Sequence, residues 1–128
     1  MDSTDKGRID RLIPLAYTAL ADVGIAEKGA VKKTWNGQIS TFGAAITMGS
    51  LQSAVAYFSN AAKGDVNRTL LLKAIRFLLE KGLEYKPIEW ENISAASPTI
   101  QRDVLNCAVA LKLAMNLYRL DTNDDTQQ

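Results

Sequence analysis

Apolar residues recur at intervals of three and four along most of the chain, the spacing that places side chains on one face of an α-helix. The first such stretch runs from about Thr4 to Val23, and Gly24 fits the position just past its end. Pro14 lies inside the stretch and lacks a backbone N–H, so the pattern predicts either a kink there or a helix that begins late. The apolar face comprises Ile9, Leu12, Ile13, Ala16, Leu20 and Val23.

Two shorter helices are predicted in the middle of the chain, after a connection at residues 24–34. Gly49 ends the first of them, and Ser50 caps the start of the second. Because the connection has no regular apolar spacing, we predict neither helix nor strand for it. The apolar positions are Trp35, Ile39, Phe42 and Ile46 in the first helix, and Leu51, Ala54, Val55 and Phe58 in the second.

The second half of the chain predicts two further helices and an irregular segment. A turn at Ala62, Gly64 and Asp65 precedes a strongly periodic helix over residues 66–81, which Gly82 ends. The pattern lapses over residues 83–96, which indicates a loop with room for one helical turn. Ser97-Pro98 then marks a helix start, a cap followed by proline at the first helical position, and this helix runs to about Leu120.

No segment alternates convincingly between apolar and polar residues, so no strand is predicted. The chain therefore predicts an all-α fold, a single compact bundle of five to six helices that occupies residues 1–120. The polar residues 121–128 are predicted to form a disordered tail.

The composition argues against an enzyme. The 128 residues include no histidine, which removes the usual general base and the commonest metal ligand. The only cysteine, Cys107, lies on the inward face of the last helix and is predicted to be a buried structural thiol. We therefore expect no catalytic residues, no metal site and no cofactor. A lone cysteine suits a reducing cytoplasm, and neither a membrane span nor a secretory signal is predicted.

Charge is segregated along the chain although its formal net value is only +1. Residues 1–27 carry a net charge of −2, residues 28–81 a net charge of +6, and residues 84–128 a net charge of −3. A clustered basic patch matters more to a polyanion than net charge does, so the middle of the chain is a candidate surface for one. Solvated lysines on helix surfaces are the alternative interpretation.

The aromatic residues divide into two groups by their place on the helix faces. Trp35, Phe42, Phe58 and Tyr118 stand on apolar faces and are predicted to pack in the core. Tyr57, Tyr85 and Trp90 lie off those faces and are candidates for a partner surface.

Residues 41–60 resemble a helix-turn-helix motif around Gly49. A recognition helix presents side chains that hydrogen-bond base edges and phosphates. Between Ser50 and Ala61 there is no lysine or arginine, and only Gln52, Tyr57 and Asn60 offer polar groups longer than a hydroxyl. This helix is therefore a poor reader of DNA.

The same stretch carries a second resemblance. A short helix, the corner Met-Gly-Ser-Leu at residues 48–51 and the run Gln-Ser-Ala-Val-Ala-Tyr-Phe at residues 52–58 resemble the central signature of one protein family. This family is the small helical subunit of type III-B (Cmr-type) CRISPR RNA-guided effector complexes. The order of elements over about residues 5–120 is also similar. The chain departs from the pattern in having Ser40-Thr41-Phe42 where a proline is expected, an additional Ser50, and no tryptophan in its last helix.

The resemblance implies a non-catalytic subunit of a cytoplasmic antiviral ribonucleoprotein. Several copies would stack along the backbone filament, against each other and against other subunits of a complex that holds CRISPR RNA and captures target RNA. Nuclease activity would belong to other subunits. Basic side chains would hold the guide–target duplex by its phosphates, while base pairing reads the sequence. The predicted contacts are Lys32, Lys33, Arg68, Lys73 and Arg76.

Two other functions stay open at the level of sequence. One is a helical protein–protein adaptor or immunity-type inhibitor whose basic patch docks on an acidic protein. The other is a helix-turn-helix DNA-binding protein.

Overall fold

A computed structural model of the chain describes residues 5–59, 67–87, 89–90 and 97–121. Within these ranges the chain folds into five helices and three short strands, so it is mostly helical without being all-α. The helices are α1 (Asp5–Asp22), α2 (Thr34–Met48), α3 (Leu51–Ser59), α4 (Thr69–Gly82) and α5 (Pro98–Met115). The strands are β1 (Ala26–Glu27), β2 (Ala30–Lys32) and β3 (Arg119–Asp121).

Helix starts agree closely with the local signals in the sequence. α1 begins at Asp5 and continues through Pro14, so the alternative of a late start is wrong. α5 begins at Pro98, and the Ser97 hydroxyl accepts a hydrogen bond of 3.2 Å from the backbone N–H of Ile100. α4 begins at Thr69, three residues later than predicted, while the turn predicted at residues 62–65 lies outside the described ranges.

The corner between α2 and α3 depends on Gly49 and Ser50. A Cβ atom at Gly49 would lie 2.9 Å from the carbonyl oxygen of Ala45. Cβ atoms do not come this close to a backbone oxygen that is not bonded to them, so this position requires glycine. Ser50 then caps α3, because its hydroxyl accepts from the Ser53 N–H at 3.0 Å. The Ser53 hydroxyl accepts in turn from the Ser50 N–H at 3.2 Å, which completes a reciprocal cap.

The prediction that the chain has no strand is wrong for residues 24–34. β1 and β2 form an antiparallel hairpin with Glu27 opposite Ala30. Its two-residue turn is Lys28-Gly29, with φ angles of 54° and 76°. Positive φ at both positions is the requirement of a type I′ turn, whose twist matches that of the flanking strands. Strands of two and three residues are too short to establish a period of two, which is why the pattern did not indicate them.

The prediction for the end of the last helix is also wrong. α5 ends at Met115 rather than near Leu120, and the chain then turns so that β3 pairs in parallel with β2. Asp121 is the last residue of this strand and lies opposite Lys32, so it does not belong to a disordered tail. Residues 122–128, the rest of that predicted tail, lie outside the described ranges.

Aromatic contacts hold the segment just before β3 against α1, and α3 against α2. The rings of Tyr17 and Tyr118 stack with centroids 4.3 Å apart, and the Tyr118 hydroxyl donates to the Tyr17 carbonyl oxygen at 2.6 Å. Phe42 and Phe58 meet edge to face at 5.2 Å, deep in the core between α2 and α3. Trp35, Phe42 and Phe58 are buried, which confirms the core positions predicted for them, whereas Tyr118 is only half-buried. No helix in the described part of the chain is long and apolar enough to cross a bilayer.

The hairpin turn yields a paired test on two glycines. We expect Gly29→Ala to destabilise the protein by about 1–2 kcal/mol, because the residue must keep a positive φ that alanine disfavours. The cost is conformational, since a Cβ at Gly29 would meet no atom within 4 Å. Gly37→Ala is the control. It lies inside α2 with equal free space, so it should stabilise the protein by about 0.5–1 kcal/mol in urea denaturation.

Candidate nucleic-acid interface

The candidate interface centres on the outward face of α4. Four of its residues follow one another at intervals of four, three and four, so they share one side of the helix. They are Thr69, Lys73, Arg76 and Glu80. Lys73 is exposed. Arg76 is half-buried, and its Nε donates to Glu80 Oε2 at 3.0 Å. The face therefore presents the exposed ammonium group of Lys73 beside the Arg76 guanidinium, which forms an ion pair with the Glu80 carboxylate.

An open groove of about 240 Å³ runs along this face, and we call it the α4 groove. Trp90 belongs to it although it follows α4 by several residues in the sequence. The indole Nε1 donates to the Leu72 carbonyl oxygen at 3.3 Å, which fixes the ring beside α4. A second open depression next to it is formed by Lys73, Arg76, Phe77 and Glu80. The α4 groove is lined by Ser59, Thr69, Leu72, Lys73, Arg76 and Trp90.

Arg68 lies in a different environment from the other predicted contacts. Its residue is only 7% exposed, and its guanidinium carbon stands 4.4 Å from the centroid of the Tyr57 ring and 5.6 Å from that of Phe58. The buried Nε has no hydrogen-bond partner. The charge of Arg68 is thus held against aromatic faces rather than presented to solvent, so the side chain connects α4 to α3.

Lys32 and Lys33 lie at the end of the β-hairpin, and neither of them lines the α4 groove. Lys32 borders a separate pocket of about 200 Å³ together with Glu27, Asn67 and Asp121. Lys33 is exposed and directly precedes α2. Of the five predicted contacts, only Lys73 and Arg76 therefore line the same groove.

The remaining partner-surface candidates differ from one another. Tyr57 is exposed, but Tyr85 is held in a polar network in which its hydroxyl donates to Asp103 Oδ2 at 2.6 Å. Arg8 Nη1 lies 2.9 Å from Asp103 Oδ1. Burial, reinforced by the hydrogen bond to Asp103, raises the pKa of the Tyr85 phenol. Tyr85 therefore serves the fold, and sequence position alone gave no sign of this bond.

Neither Cys107 nor α3 offers a better site. Cys107 is buried as predicted, and this burial raises the pKa of its thiol, which keeps the sulfur protonated and unreactive. Among the residues with described positions, no three His, Cys, Asp or Glu side chains cluster as metal ligands do. α3 follows the corner at Gly49 as a recognition helix would, but it carries no basic side chain.

Comparison of the chain with protein-family models, with curated proteins and with solved structures found no match.

Proposed function

We propose that this chain is the non-catalytic small subunit of a type III-B CRISPR RNA-guided complex, and that it contacts RNA through the α4 groove. The proposal rests first on the resemblance around the Met-Gly-Ser-Leu corner, where a Cβ at Gly49 would clash with the Ala45 carbonyl oxygen. The structural observation that carries it is the location of Lys73 and Arg76 in one open groove.

The chemistry of this groove suits a phosphate backbone. The exposed ammonium group of Lys73 can follow a phosphate as a mobile point charge. Arg76 offers a planar fork of donors, and its Nε can exchange the Glu80 carboxylate for a phosphate oxygen. Thr69 and Ser59 also line the groove, but their hydroxyl groups donate to Asn67 Oδ1 and to the Val55 carbonyl oxygen and would have to leave these acceptors to donate to a phosphate. None of these groups distinguishes one base from another, which matches a subunit that leaves sequence recognition to the guide.

The rest of the surface supports assembly with other proteins. Val109, Leu113 and Leu117 are exposed apolar residues at intervals of four along α5 and just beyond its end. A stripe of this kind is typical of a surface that another subunit covers. Within the proposal it is a candidate contact to neighbouring subunits. The same stripe is also the observation that favours the second candidate function, a helical adaptor between proteins.

Reconstitution tests the proposal directly. The chain would be co-expressed with the other subunits of a type III-B effector complex and with a CRISPR RNA, and the purified assembly analysed by native mass spectrometry. We expect more than one copy of this chain per guide RNA, and target cleavage that depends on other subunits. Recovery of the chain with a protein partner but never with guide RNA would contradict the proposal and favour the adaptor.

A further inference from the structure

Trp90 is the feature of the α4 groove that phosphate binding does not explain. The indole is half-buried, it borders the groove, and it stands beside the two cations on α4. If the indole served only to pack the core, it could be buried completely. It also carries no charge, so it does not attract phosphate as Lys73 and Arg76 do. The combination of an indole with Lys73 and Arg76 is typical of grooves that bind single-stranded nucleic acid, where bases stack on aromatic rings and cations follow the backbone.

The indole is fixed in place before any ligand binds. Its N–H donates to the Leu72 carbonyl oxygen, which belongs to α4, and its ring packs against residues of the core. A ring held in this way loses little conformational freedom when a base stacks on it. Leu72 and Lys73 are adjacent, so the atom that holds the indole and the residue that carries the exposed ammonium group belong to the same helical turn.

We propose that the α4 groove binds an unpaired nucleotide, with its base stacked on Trp90 and the adjoining phosphates on Lys73 and Arg76. This inference rests on the proposed function for the identity of the ligand as RNA. It adds that the strand is single at this point. A base inside a duplex is already stacked and paired, so a duplex can offer the groove its phosphates but not a free base face.

Two matched variants separate stacking from the loss of the indole hydrogen bond. Trp90→Phe and Trp90→Leu both remove the N–H that Leu72 accepts, but only Trp90→Phe keeps an aromatic ring. We expect Trp90→Leu to weaken binding of a short single-stranded oligouridylate by roughly 5- to 150-fold, the range that base stacking on an aromatic ring accounts for. Trp90→Phe should retain most of the affinity, and a blunt RNA duplex should bind all three proteins alike.

Intrinsic fluorescence of the full chain gives an independent measurement. The chain contains two tryptophans, and Trp35 is 3% exposed, so a stacked base should quench Trp90 alone. We expect oligouridylate to quench the natural protein but not the Trp90→Phe variant, whose remaining tryptophan is Trp35. This assay decides the question even if Trp90→Leu fails to fold, which its melting temperature would reveal.

Each contrary outcome has a distinct meaning. If oligouridylate binds Trp90→Leu normally and does not quench the natural protein, while loss of Lys73 and Arg76 abolishes binding, then stacking is wrong and the proposed function stands. If polyglutamate quenches Trp90 and oligouridylate does not, the groove binds an acidic peptide and the inference is overturned. If neither the free chain nor the reconstituted complex contacts RNA through this chain, the inference and the proposed function both fail.

Discussion

The double variant Lys73→Glu/Arg76→Glu is expected to lose most of its affinity for RNA. Each phosphate contact removed should flatten the dependence of log affinity on log salt concentration by about 0.7–0.9, so the two substitutions should flatten it by about 1.4–1.8. The reversed charges also repel phosphate, and Arg76→Glu removes the guanidinium that donates to Glu80. The measurement is fluorescence anisotropy with labelled RNA over a range of salt concentrations, for the free chain and for the reconstituted complex.

Two controls show whether the effect belongs to the α4 groove. Lys6→Glu/Arg11→Glu changes net charge by the same amount at two exposed positions of α1 and should leave the salt dependence unchanged. Arg68→Gln should also leave it unchanged, because that side chain is buried against Tyr57. The loss of affinity should be similar for unrelated RNA sequences, since phosphate contacts do not specify. Normal RNA binding by Lys73→Glu/Arg76→Glu, together with loss of a protein partner, would favour the adaptor.

The elements that the sequence predicted well are those specified by nearby residues. Ser97 and Pro98 correctly indicate the start of α5. The corner predicted at Gly49 and Ser50 lies between α2 and α3 in the structure as well. Both signals are local, because a cap acts within one turn of helix. The core aromatic positions Phe42 and Phe58 also follow from helical spacing alone.

The features that the sequence could not predict depend on contacts between distant residues. β3 exists because Leu120 pairs with Val31, and neither three-residue segment has enough length to show a pattern. The charge of Arg68 is as visible in the sequence as that of Lys73, but its burial depends on Tyr57 in another helix. The same is true of Trp90, whose place in the α4 groove is set by Leu72 and not by its own neighbours in the chain.

Removal of the Asp103 carboxylate is expected to destabilise the fold more than removal of Tyr85 or Asp5 does. The Asp103 carboxylate is 8% exposed, and its two oxygens accept from different elements: Oδ1 from Arg8 on α1, and Oδ2 from Tyr85 in the segment after α4. Because α5 carries Asp103 itself, one carboxylate connects three parts of the fold. We expect Asp103→Ala to lower the free energy of unfolding in urea by about 2–4 kcal/mol.

The size of this effect follows from what each partner can do once the carboxylate is gone. The Arg8 side chain is 31% exposed, so its guanidinium can recover hydration and contributes the smaller share of the loss. The Tyr85 side chain is partly buried against the core and its hydroxyl is left without its charged acceptor, which contributes the larger share. Tyr85→Phe removes the donor as well as the need for an acceptor, so it should destabilise the protein less than Asp103→Ala does.

Asp5→Ala is the matched control, because Asp5 lies at the same α1–α5 interface and also meets two donors. Its carboxylate is 50% exposed, and its contacts to Asn106 and Arg102 are longer, at 3.2 and 3.4 Å. Water can replace the contact to Arg102, whose side chain is 65% exposed, but Asn106 is buried and its amide loses an acceptor. This variant should therefore lose about 1–2 kcal/mol, less than Asp103→Ala. If Asp103→Ala were no more destabilising than Asp5→Ala, the Asp103 carboxylate would not connect the three elements. A double-mutant cycle on Arg8 and Tyr85 would then give a coupling near zero instead of a positive one.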